Sequence, residues 1–181
     1  MNTLTALLAR DELSSAALDA LFEAQHRRPG FVRDLLAAFR TLDPEVAWRA
    51  VWLLLRVGRA SGEMSPEVLR ALARRAEEMT HWIARLTLCQ LFAQFPCPES
   101  SREELFPFLD DCFGDERVII RAWALTAMYA MKDDERFAVL VERSLAEARL
   151  DRKPSMVARI KHLGSARKPP LNPRPKSVSA S

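Results

Sequence analysis

The stretch DPEVAWRAVWLLL, residues 43–55, decides the fold because a second stretch, DERVIIRAWAL at 115–125, repeats its pattern. In each, an aspartate stands six residues ahead of an arginine set into an apolar run, Asp43 before Arg49 and Asp115 before Arg121. Arg49, Arg85 and Arg121 are each 36 residues apart, and Arg159 follows after 38. Arg85 lies in WIARLTLCQLF (82–92) and Arg159 in a shortened VARIKHL (157–163). The intervening segments keep the same step, with Leu36, Leu72, Leu109 and Leu145 separated by 36, 37 and 36 residues. Two alternating segment types at a fixed period of this length define a repeat array, in which each unit buries its apolar face only by stacking on its neighbours.

The segments have helical periodicity. The pattern predicts helices at Thr3–Ala9, Ser14–His26, Pro29–Arg40, Pro44–Arg59, Ser65–Ala76, Thr80–Phe95, Ser101–Phe113, Glu116–Met131, Asp134–Leu150 and Pro154–Leu163. Pro29, Pro44, Pro66 and Pro154 fall at or near first-turn positions, where a missing N–H is tolerated. Asp43 and Ser65 suit N-caps, and Pro96, Pro98, Gly58, Gly62 and Gly114 mark ends or linkers. With only five glycines and with Ala, Leu, Arg and Glu dominant, the expected class is all-α.

Residues 29–163 resemble the HEAT and armadillo-like helical repeats, on the strength of the Asp…Val…Arg-small-Leu pattern in DPEVAWRAVWLLL and DERVIIRAWAL. The other two copies depart from it, with Glu78 seven residues before Arg85 and Lys153 at the aspartate position before Arg159. The resemblance implies a right-handed α-α superhelix of about four hairpins over residues 1–163, with residues 1–28 as an N-terminal capping pair. It further implies that Arg49, Arg85 and Arg121 form a ladder with loop aspartates of neighbouring repeats, with Asp43 and Asp115 as candidate partners. Such a ladder fixes register more than it adds net stability.

On the helix holding Arg49, Val46, Ala47, Ala50, Leu53, Leu54 and Val57 form the core arc, while Trp48, Trp52, Arg56 and Arg59 project away from it. The equivalent flanks carry Leu88, Phe92 and Phe95, then Ile120, Ala124 and Met128. In HEAT-like stacks the second helices line the concave side. A run of Trp, Phe, Leu and Met there, next to arginines, is expected to form a groove for a protein or peptide partner. The competing expectation is that neighbouring repeats cover it.

The function classes narrow accordingly. His26, His81 and His162 form no HxxH or HExxH pattern, and neither a phosphate-binding glycine loop nor a GxSxG elbow occurs, so no metal, cofactor or catalytic constellation is expected. Cys89, Cys97 and Cys112 are odd in number and without metal-ligand spacing, which suits reduced thiols in the cytoplasm. No apolar run approaches the roughly 18 residues of a membrane span, and the N-terminus makes a poor signal peptide. The formal charge of +3 comes from the tail: residues 164–181 carry +4, leaving 23 basic and 24 acidic side chains before them. That Pro-rich basic tail is expected to be disordered.

The leading expectation is a non-enzymatic scaffold or adaptor. One alternative is a DNA-binding or DNA-repair protein resembling the HEAT-like alkylpurine DNA glycosylases, for which Arg49, Arg56, Arg59, Arg85 and Arg121 would supply cations. The other is a structural subunit of a larger assembly.

Overall fold

Side-chain caps, prolines and two left-handed glycines set the helix ends. The computed structural model describes residues 3–10, 13–41 and 43–165. These residues form ten α-helices: α1 (Thr3–Leu8), α2 (Ser15–Gln25), α3 (Phe31–Phe39), α4 (Pro44–Ser61), α5 (Pro66–Ala73), α6 (Trp82–Gln94), α7 (Arg102–Phe113), α8 (Val118–Tyr129), α9 (Glu135–Ala148) and α10 (Pro154–Ser165). Short 3-10 turns at Ala76–Glu78 and Glu99–Ser101 lie in the connections, and no strand occurs among the described residues. Asp43 caps α4, its Oδ1 accepting from the Glu45 and Val46 N–H groups at 2.9 and 3.3 Å, and Ser65 caps α5. Gly62, at φ +78°, closes α4 by donating its N–H to the Gly58 carbonyl. Gly30 at φ +81° shifts the start of α3 from the expected Pro29 to Phe31, because a left-handed residue cannot lie inside a right-handed helix. Gly164 and Ser165 belong to α10 rather than to the tail, whose remainder, 166–181, lies outside the described residues.

The second helix of each pair packs on the next in chain order, α4 on α6, α6 on α8 and α8 on α10. From the other layer, α3 packs on α4, α7 on α8, and α9 on α8 and α10. At the N-terminal end α1 rests on α3 and α4, and α2 on α4. The sandwiched positions of α6 and α8 explain why WIARLTLCQLF and VIIRAWALTAM are apolar almost all round. Leu53, Leu54, Leu88, Leu91, Leu109 and Leu125 are fully buried in the resulting core.

Arginines tie successive pairs together. Arg85 reaches Asp111 at 2.7 Å and Asp115 at 3.5 Å. Arg121 reaches Asp151 at 2.6 Å and donates to the Asp115 and Glu116 carbonyls. Each of these arginines thus meets the aspartate 30 residues on, and Asp43, Asp115 and Asp151 stand in the same 36-residue frame. Lys153 is therefore not the aspartate position of the last copy. Asp151 is, with two extra residues between it and Arg159. The Lys153 N–H, and then Arg121, hold the Asp151 carboxyl below its usual range.

Arg49 does not follow the rule, and Asp43, expected as one of the ladder's aspartates, accepts from backbone N–H groups of α4 instead. The position 30 residues beyond Arg49 is Met79, which offers no carboxylate. Arg49 instead turns to α1, donating to the carbonyls of Leu8 at 2.6 Å and Arg10 at 3.0 Å, with Glu45 at 3.2 Å. It is 5% exposed. Asp43 is left with the capping role alone.

A second tie joins α7 to α9. Asp134, the N-cap of α9, accepts from Arg136 at 2.7 Å and from Arg102 at 2.9 Å. Arg136, and then Arg102, hold its carboxyl well below the usual range. A folded-state pKa depressed below the unfolded value of about 3.9 contributes stability above that pH and loses it as pH falls. Asp134→Asn is therefore expected to be less stable than the parent at neutral pH, with the gap narrowing below about pH 4. Chemical denaturation across that range checks it, and a gap constant with pH would contradict it.

Gly58 permits the close approach of α4 to the end of α6. A Cβ there would lie 2.8 Å from the Phe95 ring and from the Met64 methyl. Met64 can swing aside, but the buried Phe95 ring cannot do so cheaply. Gly58→Ala is therefore expected to destabilise by about 1–2 kcal/mol, despite the gain of about 1 kcal/mol in helix propensity. Urea denaturation reads the sign directly.

Candidate functional site

The flank expected to form a groove is a stacking seam. Positions 48, 52, 56 and 59 of α4 correspond, 36 residues on, to Ala84, Leu88, Phe92 and Phe95. A further 36 residues on they correspond to Ile120, Ala124, Met128 and Met131. Leu88 and Met128 are 0% exposed and Phe92 is 2% exposed, and the other equivalents of α6 and α8 are buried as well. The expected partner contacts of Leu88, Phe92 and Met128 are thus corrected: they lie in the core. On α4 the same flank meets α2 through Arg56, and α6 through Trp48, stacked on His81, and Arg59, bonded to Gln94. Arg56 pairs with Asp19 of α2 at 2.9 Å and lies over the Phe22 ring. On α6 and α8 the neighbour covers the whole flank, so it is apolar. On α4 the shorter α2 covers only part, so the flank carries Trp48, Trp52, Arg56 and Arg59.

The four α4 side chains are held from within. Arg56 also lies over Trp52, and Arg59 donates to Gln94 Oε1 at 3.0 Å. Trp48 donates its indole N–H to Glu45 at 2.7 Å and carries the Arg49 guanidinium over its ring. Arg49, Arg56, Arg59, Arg85 and Arg121, the cations counted toward a nucleic-acid surface, all have partners inside the protein.

The open surface lies on a different face of the same helices. Three of the large exposed hydrophobic side chains come from the first turns of successive second helices: Trp82 of α6 (43%), Ile119 of α8 (40%) and Val157 of α10 (51%). One helical turn further on are Leu86, Trp123 and Lys161, since residues at i and i+4 share a face. Leu86 and Trp123 are partly buried and pack on the core. On α4 the corresponding first-turn residues, Val46 and Ala47, are buried, so the row begins at α6.

The Trp82 end of this row is buttressed by neighbouring side chains. His81 caps α6, its Nδ1 accepting from the Ile83 N–H at 3.3 Å, which leaves the proton on Nε2 facing Glu45 Oε1 at 3.5 Å. The imidazole stacks between Trp48, at 5.6 Å, and Trp82, at 6.4 Å. Arg117, at the start of α8, lies 5.7 Å from the Trp82 ring centre. Trp48 thus belongs to the structure behind the row, as a support for Trp82. An anchor fixed before binding loses little side-chain entropy on contact.

The Trp123 end carries a cation without an acid. Arg159 of α10 lies 3.9 Å from the Trp123 ring centre. Among the described residues no carboxylate is within ion-pair distance of it, unlike Arg85 and Arg121. Burial lowers its pKa. Arg117, at the other end, is paired with Glu116 at 3.1 Å.

Sequence reasoning missed Trp82, His81, Arg117, Ile119, Trp123 and Val157. The spacing of Ile83, Ile119 and Val157, 36 and then 38 residues, was a usable signal. What it lacked was the direction of the neighbouring helix, which decides which flank is covered. All three cysteines are buried: Cys89 has Cys112 beside it, and burial raises the Cys89 pKa well above the ordinary value. Burial likewise pushes Cys97 up to about 11. No group of three His, Cys, Asp or Glu among the described residues is placed to hold a metal ion, and none of their helices is long and apolar enough to cross a membrane. Compared with protein-family models, curated proteins and solved structures, the chain matches none.

Proposed function

We propose that this chain is a HEAT-like, right-handed helical solenoid acting as a non-enzymatic scaffold, and that it binds a protein or peptide partner across the first turns of α6, α8 and α10. The observation that carries the reading is the row Trp82, Ile119 and Val157, one exposed apolar side chain from each of three successive second helices. Isolated exposed apolar residues are ordinary on any surface, but one from the first turn of each of three helices packed in succession makes a track that an extended or helical segment can follow. Trp82 stands one residue before Ile83, the match of Ile119 in the 36-residue frame. Trp82, stacked and capped in place, supplies the kind of rigid aromatic anchor on which interfaces concentrate their energy. The three free cysteines suit a cytoplasmic setting for this role.

Selection of a displayed random-peptide library on the full chain tests the proposal. The expected result is an enriched pool whose binding falls at least about tenfold with Trp82→Ala, a loss within the range of a hot-spot residue. Circular dichroism checks that the variant keeps its helices. An unenriched library, or a pool that binds Trp82→Ala as well as the parent, would overturn it.

A further inference from the structure

The chemistry of the segment that fits this row follows from Arg159, which meets no carboxylate among the described residues, and the inference rests on the partner-binding reading above. The arginines of the repeat series share one sequence frame but not one fate. Arg85 finds Asp111 and Asp115, and Arg121 finds Asp151. Arg49, facing Met79 in that frame, is satisfied by the Leu8 and Arg10 carbonyls. Arg159 has none of these. Its guanidinium lies over the Trp123 ring and meets no carboxylate among the described residues.

A half-buried guanidinium with an aromatic ring beneath it and no acid beside it loses hydration without recovering a charge partner. It is also a strong site for one, because the ring holds the planar fork in place and part of the desolvation has already occurred. The apolar row sits on the same helices: Ile119 is one turn before Trp123 on α8, and Val157 is two residues before Arg159 on α10. Lys161, one turn beyond Val157, adds a second positive charge at that end. At the Trp82 end Arg117 already has Glu116, so the demand for negative charge is one-sided.

We propose that the partner is an acidic amphipathic peptide segment, whose apolar side chains lie along Trp82, Ile119 and Val157 and whose carboxylate pairs with Arg159. The segment runs with its acidic end toward α10. Carboxylate pairing gives the contact its direction and makes it dependent on salt, while the apolar row supplies most of the buried area.

The composition of the peptide pool enriched on the parent chain is the first readout and needs no variant. Asp or Glu beside apolar residues is expected, with binding that weakens as ionic strength rises. The second readout is Arg159→Gln, which keeps a polar, planar side chain on Trp123. It is expected to weaken the pool by about tenfold, with Arg159→Glu weakening it further. A pool without acidic residues, or one that binds Arg159→Gln as tightly as the parent, overturns the acidic partner while leaving Trp82-dependent binding intact. Loss of all Trp82-dependent enrichment overturns the binding surface itself, so the two failures are distinct.

Discussion

Arg49→Ala is expected to destabilise the protein by about 3 kcal/mol, as for a buried charged donor removed from its acceptors. Arg49 is 5% exposed and its guanidinium donates to the carbonyls of Leu8 and Arg10, where α1 ends. With six residues, α1 is too short to hold its own helical form, and it has no basic residue in its last turn to satisfy those carbonyls. Removing Arg49 leaves the Leu8 carbonyl buried without a donor and frees the end of α1 from α4. Loss of amide-exchange protection should therefore be largest in α1 and extend to α3 and α4, on which α1 rests. Arg49→Lys should recover only part of the loss, since one ammonium cannot reproduce a fork that spans two carbonyls and Glu45. Equilibrium denaturation checks the magnitude. A loss below about 1 kcal/mol would show that water satisfies the end of α1 as well as Arg49 does.

The second large effect separates the seam from the surface. Leu88→Ala and Phe92→Ala are each expected to cost about 3–5 kcal/mol, because each leaves a cavity in a fully packed site. Trp82→Ala, at the start of the same helix, should cost less than about 1 kcal/mol, the usual range for an exposed side chain. Binding should rank in the opposite order: Trp82→Ala loses the partner, whereas Leu88→Ala keeps its binding surface wherever it stays folded. Paired denaturation and binding measurements on these variants test this. If Leu88→Ala and Phe92→Ala were neutral for stability, the two residues would not be core.

The difference between these variants marks where sequence reasoning ran out. The period was legible because stacking repeats must present the same apolar faces at the same step, and all ten expected segments are helical. The tie of Arg85 to Asp115 was legible in outline, whereas Asp151, the partner of Arg121, was hidden by the two extra residues before Arg159 that put Lys153 at the expected aspartate position. The diversion of Arg49 was also written in the frame, at Met79, although its new acceptors are backbone carbonyls that no side-chain pattern reveals. The orientation of the flank was not legible. Trp48 and Trp52 look like a binding surface and Leu88 and Phe92 look like its continuation, yet one face is amphipathic and the other apolar because α2 covers less of α4 than α4 covers of α6. His81 illustrates a different limit. As one of three scattered histidines it carries no motif, and its role comes from two local contacts, a cap and a ring stack.

The central claim is that a partner lies on the first turns of α6, α8 and α10 and not on the flank of α4. The four tryptophans report on it directly, because Trp82 and Trp123 stand at the proposed surface while Trp48 and Trp52 do not. The decisive measurement is a titration of the full chain with the peptide of highest affinity from the selection, followed through the four indole N–H resonances. The account predicts that the Trp82 and Trp123 signals shift and saturate together, with Trp52 unmoved and Trp48 shifting at most slightly through His81. Saturating shifts at Trp52, with Trp82 and Trp123 unchanged, would contradict it.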